Sequence, residues 1–206
     1  MSGSATVCSG PNVGTLTITG FSGTVLRWES ASDPGFLTNL INHNNPTSSF
    51  TYFNLTSTRF YRAVVDGGGS CGTYFVGTGI ITVVGPAANV TAGGSQTICE
   101  SEASLSGSAP INGGSSTWTY VLGPEASGNI IIAQNSPTAG QAQVAGINAV
   151  GNYLFRYTVD YGPCGVRTSD VLITRRPTVN AGVATANPAM VCAGLNSSMI
   201  TLAGNN

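Results

Sequence analysis

The residues of this 206-residue chain with the most informative spacing are its five cysteines, at positions 8, 71, 99, 164 and 192. Successive intervals are 63, 28, 65 and 28 residues, so every second cysteine recurs after 91 or 93. Tetrahedral zinc would need clustered ligands such as C-x2-C or nearby histidines, and the one histidine, His43, sits in the loop "INHNNPT". A disulfide fits better. Two cysteines per period, one near each end, suit a staple from Cys8 to Cys71 and from Cys99 to Cys164. Cys192 is then unpaired, its partner expected beyond residue 206. Paired cysteines imply an oxidising compartment, hence secretion or the cell surface. Closing a loop of about 64 residues contributes roughly 4 kcal/mol in the chain-entropy account. Under tension such a staple would shield everything between its two ends and leave only the connecting 28 residues free to extend.

Little other chemistry can be assembled. The titratable inventory is eight carboxylates and one histidine, and only Glu100 and Glu102 lie close together, beside Cys99, where a solvated turn is expected rather than an acid/base pair. The second half of the chain has no histidine for a Ser-His-Asp arrangement, so no enzyme activity and no cofactor are expected. There is no D-x-[DN]-x-[DN]-G loop for calcium, and the absence of lysine rules out a lysine–asparagine isopeptide staple. The net charge of −1 and scattered arginines, adjacent only at Arg175 and Arg176, offer no basic stripe to a nucleic acid. No apolar run reaches the 18 residues of a membrane span, and the N-terminus "MSGSATVCSG" lacks the regions of a signal peptide, so it reads as a start placed inside a longer chain. Ten of the sixteen aromatics fall in the first 85 residues. Some of Phe50, Tyr52, Phe53, Tyr74 and Phe75 must face outward, which makes Tyr52 and Tyr74 weak candidates for stacking on a sugar; the plainer expectation is that these rings cover a core.

The elements that hold these residues are strands. Only 7% of residues are charged, and Gly, Ser, Thr, Asn and Val dominate, a palette of short strands and turns rather than of helix surfaces. Sequence flanking the cysteines repeats with them: "FYRAVVD" (60–66) matches "LFRYTVD" (154–160), "IITVVGP" (80–86) matches "VLITRRP" (171–177), and "VTAG" matches "VNAG". Each unit reads as turn-bounded short strands, the pattern of a β-sandwich. The chain is therefore expected to be all-β, as tandem Ig-like sandwiches at 1–85 and 86–177, with 178–206 the start of a third. Pro86 and Pro177 mark the strand exits. Trp28 and Trp118, on the third strand of each unit, are expected in the cores. Period-two alternation places Tyr61, Ala63 and Val65, and likewise Phe155, Tyr157 and Val159, toward the core, with Arg62 and Arg156 outward.

The phrases "VCSGPNVGTLTITGFSGTVLRWESASDPGF", "YRAVV" and "SCG", with the "VNAG…VC" junction, resemble the Ig-like repeats of giant cell-surface adhesins of Bacteroidetes, of the gliding-motility type. The second unit departs, with "STWTYVLGPEASG" in place of the first tryptophan phrase. The resemblance implies export by the type IX secretion system, display on the outer membrane and movement by a gliding motor. Expected partners are then neighbouring repeats, the secretion or gliding machinery, and an external surface or polysaccharide met by regions outside this segment. The role is that of an extended stalk carrying adhesion and force. The rival from another class is a carbohydrate-binding or spacer module of a secreted polysaccharide-degrading enzyme.

Overall fold

Strands alternating Val, Ile, Leu or an aromatic with Thr, Ser or Asn bury one face and wet the other, and the chain uses this device throughout. The computed structural model describes residues 1–187, 189–190, 193–194 and 197–204. The first seven strands are β1 (Ala5–Cys8), β2 (Val13–Thr17), β3 (Thr24–Ala31), β4 (Ile41–His43), β5 (Ser49–Phe53), β6 (Arg59–Asp66) and β7 (Thr73–Val84). They form a five-stranded sheet of order β1-β7-β6-β3-β4 facing the two-stranded sheet β2-β5. The next seven are β8 (Gln96–Ile98), β9 (Glu102–Ser106), β10 (Ser115–Leu122), β11 (Ile131–Gln134), β12 (Gln141–Ala145), β13 (Gly151–Asp160) and β14 (Val166–Arg175). Their sheets have the orders β10-β13-β14-β8 and β11-β12-β9. The plan thus recurs: a long last hairpin, β6-β7 or β13-β14, flanked by the tryptophan strand on one side and a short parallel strand on the other.

As the alternation predicts, Tyr61, Ala63 and Val65 are at most 2% exposed, and Phe155, Tyr157 and Val159 are fully buried. Trp28 and Trp118 sit in the two cores, their indole N–H groups donating to the carbonyls of Thr47 (2.9 Å) and Gly140 (2.9 Å). Tyr153, at the start of β13, donates its hydroxyl to the carbonyl of Ala149 at 2.7 Å, the tyrosine corner found in Ig-like sandwiches. These features make the molecule an all-β chain of Ig-like sandwiches. β15 (Val183–Asn187) and β16 (Met199–Ala203) come next as an antiparallel pair with every residue exposed.

Three short elements escape sequence reading: β4, which pairs His43 with Trp28 where a loop is expected, and β1 and β8, which determine where the cysteines lie. β1 and β8 are only four and three residues long, and each pairs in parallel with the last strand of its sandwich: Cys8 stands opposite Val84, and Ile98 opposite Arg175.

Candidate functional site: the stapled junction

The turn before each last strand is built the same way twice. In the first sandwich Asp66 Oδ1 accepts from the Gly68 N–H (2.9 Å), and in the second Asp160 Oδ1 accepts from the Gly162 N–H (2.8 Å). A single 3-10 turn comes next, Gly69–Cys71 or Gly162–Cys164, and ends on Gly72 (φ 63°) or Gly165 (φ 86°), a backbone state that L side chains rarely adopt. The Gly67 N–H then closes on the Gly72 carbonyl (2.9 Å), and the Tyr161 N–H on that of Gly165 (3.0 Å). Cys71 and Cys164 therefore occupy equivalent places, at the entry pole of their sandwiches.

Cys8 lies at the other pole. The Ser9 N–H donates to the Val84 carbonyl (2.8 Å), and Asn12 Nδ2 donates to the carbonyls of Cys8 (2.7 Å) and Leu55 (2.8 Å), fixing the end of β1 against the β5 exit. This geometry corrects the expected pairing. The disulfide runs from Cys8 to Cys164, across the junction, with Cα atoms 5.0 Å apart and 156 residues between them in sequence. Cys71 and Cys99 are free and exposed. Cys8 cannot reach Cys71, because the 12-residue β7 separates them by about 40 Å at the strand rise, whereas bridged Cα atoms lie within about 7 Å. The 10-residue β14 keeps Cys99 from Cys164 in the same way. Cys192 falls outside the described residues.

The linker is packed as well as bonded. The Gly85 carbonyl lies 2.9 Å from the Cys164 sulfur, and Asn112 Nδ2 donates to the Pro86 carbonyl (3.0 Å). A Cβ on Gly85 would stand 2.6 Å from the Asn112 side chain, so a larger residue there would displace the amide that bonds Pro86.

The strongest electrostatic cluster is on the outer face of the first sandwich. Glu29, 2% exposed, accepts from Arg62 (2.8 Å) and Arg27 (2.7 Å), and the Arg62 guanidinium lies between the rings of Phe75 (3.6 Å to the centroid) and Phe36 (4.1 Å). Burial opposes ionisation of Glu29, but the hydrogen bonds and charges of the two arginines outweigh it and hold its carboxyl below the usual carboxylate range. At the matched position Arg156 pairs instead with Asp170, through two bonds of 2.7 and 2.8 Å.

Of the two sugar-stacking candidates only Tyr74 reaches the surface. Tyr52 is 4% exposed, in the core. Tyr74 exchanges hydrogen bonds with Ser22, receiving from its N–H (3.2 Å) and donating to its carbonyl. Phe53 and Phe75 also face outward, and the Arg62 guanidinium lies over one face of the Phe75 ring. A cavity of about 140 Å³ between His43, Phe50, Tyr52, Leu55 and Tyr61 is well below the usual range of ligand pockets. Burial holds the His43 imidazole below its ordinary pKa, helped by the charge of Arg59, and its Nε2 is 2.9 Å from the Ser30 hydroxyl. Glu100 and Glu102 are both exposed, Glu102 as the first residue of β9. Among the described residues no cluster of three or more His, Cys, Asp or Glu is placed to hold a metal, and no helix is long and apolar enough to cross a membrane.

Residues 1–85 match a family model described as a domain of unknown function, DUF8696. No curated protein matches the chain. The mouse coronavirus receptor-binding domain complexed with its murine receptor contains a chain similar over 84% of this one and 96% of its own length, at 12% identity and a TM-score of 0.52. Fibronectin(III)-like modules of Clostridium thermocellum CbhA match at 12% identity, covering 84% and 90%, with a TM-score of 0.38. The N-terminal eight Ig domains of Down Syndrome Cell Adhesion Molecule match at 10% identity, covering 87% and 26%, with a TM-score of 0.42. At such identities the likeness is one of fold.

Proposed function

We propose that this chain is part of a non-enzymatic stalk of a secreted cell-surface adhesin, with units at 1–85 and 86–177 and a third beginning at 178. One observation carries the reading: a covalent bond joins the exit pole of one sandwich to the entry pole of the next. A bond so placed fixes neighbours end to end, which serves reach and load rather than ligand capture. Its oxidising requirement fits an extracellular site. The resemblance of "WESASD" and the paired "YRAVV…CG" phrases to gliding-motility adhesins supports outer-membrane display after type IX secretion and force transmission to an external surface or polysaccharide met by other parts of the protein.

Single-molecule pulling from the two chain ends tests the mechanical role. Oxidised, residues between Cys8 and Cys164 cannot lengthen the chain. Reductant should release the 156-residue separation, on the order of 550 Å at the extended-chain spacing. Equal lengths with and without reductant would defeat the reading.

A further inference from the structure

We infer that the junction disulfide is one step of a head-to-tail series, in which the exposed Cys99 thiol bonds the turn cysteine of a following unit and Cys71 bonds a preceding one. The inference rests on the stalk reading. It stands on two independent placements. Cys71 sits in the same Asp-capped, glycine-ended turn that presents Cys164 to its partner. Cys99 comes directly after Ile98, which is opposite Arg175, so it stands at the exit pole of the second sandwich as Cys8 does at that of the first. The Thr178 hydroxyl donates to the Cys99 carbonyl (3.4 Å), so the outgoing chain leaves past this thiol. Both thiols are exposed, and the strands β7 and β14 keep each from the other cysteine of its own sandwich. Each is therefore half of a bond whose other half belongs to a neighbour.

The chemistry is thiol–disulfide exchange with an oxidised disulfide-bearing compound. The Cys99 thiolate attacks one sulfur of the oxidant, whose S–S bond breaks and releases one thiol. The partner cysteine's thiolate then attacks the Cys99 sulfur of the mixed disulfide and releases the second. One S–S bond forms, one is lost, and the two protons and two electrons end on the oxidant's two thiols.

The mechanical consequence comes from connectivity. Each turn cysteine is succeeded 28 residues later by the next exit cysteine, as in Cys71 to Cys99. With every junction bonded, those 28 residues link bonds two units apart, and successive links alternate between two covalent tracks. Fully stretched they span about 95 Å at the extended-chain spacing. Two sandwiches, each about as long as the 12-residue β7, already span about 80 Å at the strand rise. Such an array has almost no length to yield.

A three-unit chain tests this: residues 1–175 joined directly to a second copy of 85–177, which keeps the Gly85-Pro86 linker, with Val166→Ile marking the added copy. It is folded in a mixture of reduced and oxidised glutathione, alkylated, and digested with trypsin and chymotrypsin without reductant. The expected result is two linked peptide pairs, Cys8 with the first Cys164 and Cys99 with the marked one, and loss of the second pair alone in Cys99→Ser. Alkylated Cys99 beside an intact Cys8–Cys164 link would overturn the series but leave the stalk. Absence of both links would overturn both.

Discussion

Glu29 holds two arginines at once while almost wholly withdrawn from water, and Arg62 in turn fills the gap between two aromatic rings. Removing the carboxylate leaves a half-buried guanidinium without its partner, a loss of about 3 kcal/mol for a broken buried pair. Glu29→Ala should therefore lower the denaturant midpoint of the first sandwich, read by tryptophan fluorescence of Trp28 in a Trp118→Phe background. Acid acts in the same direction. A carboxylate held below its unfolded pKa contributes stability that is complete above the unfolded value and lost as pH falls through the folded one. A histidine kept neutral by burial likewise loses stability as pH falls below its unfolded value. Urea midpoints should thus be flat between about pH 7 and about pH 9, decline first through the histidine range and then more steeply below about pH 4.5, and fall again above about pH 10, where the unfolded chain ionises tyrosines that burial keeps neutral in the fold. Midpoints in Glu29→Ala and His43→Gln should decline less. The sequence shows Arg62 and Arg156 as equivalent outward residues, but their partners depend on cross-strand register. Glu29 stands opposite one and Asp170 opposite the other, on different neighbouring strands.

The long strands were legible because each carries a period-two apolar face that closes one core: β6 and β13 align without a gap, and their inward sets Tyr61, Ala63, Val65 and Phe155, Tyr157, Val159 are all buried. β1 and β8 were not, because four and three residues are too few for a period, and parallel pairing to residues 76 or 77 positions further on leaves no local mark. That gap produced the mistaken staple. Spacing shows that two cysteines recur together, whereas only the parallel direction of β1 shows that they sit at opposite poles of one strand. The corner at β13 makes a prediction at this scale. Tyr153 ties the strand to the preceding turn through Ala149 and is itself fully buried. Tyr153→Phe keeps the ring but leaves the Ala149 carbonyl without this donor, at a cost of about 1–2 kcal/mol. Calorimetry should register it in the transition of the second sandwich alone, since Arg59 occupies the matched place in the first.

For the molecule as a whole, the Cys8–Cys164 bond converts two adjacent sandwiches into one covalently closed body. The closed segment of 156 residues is more than twice the loop that an intra-sandwich staple would close. In the chain-entropy account it limits the unfolded chain by about 5 kcal/mol against roughly 4 for the shorter loop. The benefit is shared, because the unfolded chain gains its full freedom only when both sandwiches have opened. Cys164→Ser should accordingly lower the last melting transition by on the order of 10 °C at this chain length, and Cys8→Ser should do the same to within error. Cys71→Ser should leave the melt unchanged, because its thiol is exposed and bonded to nothing in this chain. A staple confined to the first sandwich would give the reverse pattern, with Cys8→Ser and Cys71→Ser alike and Cys164→Ser silent. Three melts therefore separate a bond that joins neighbours from one that only reinforces a single fold.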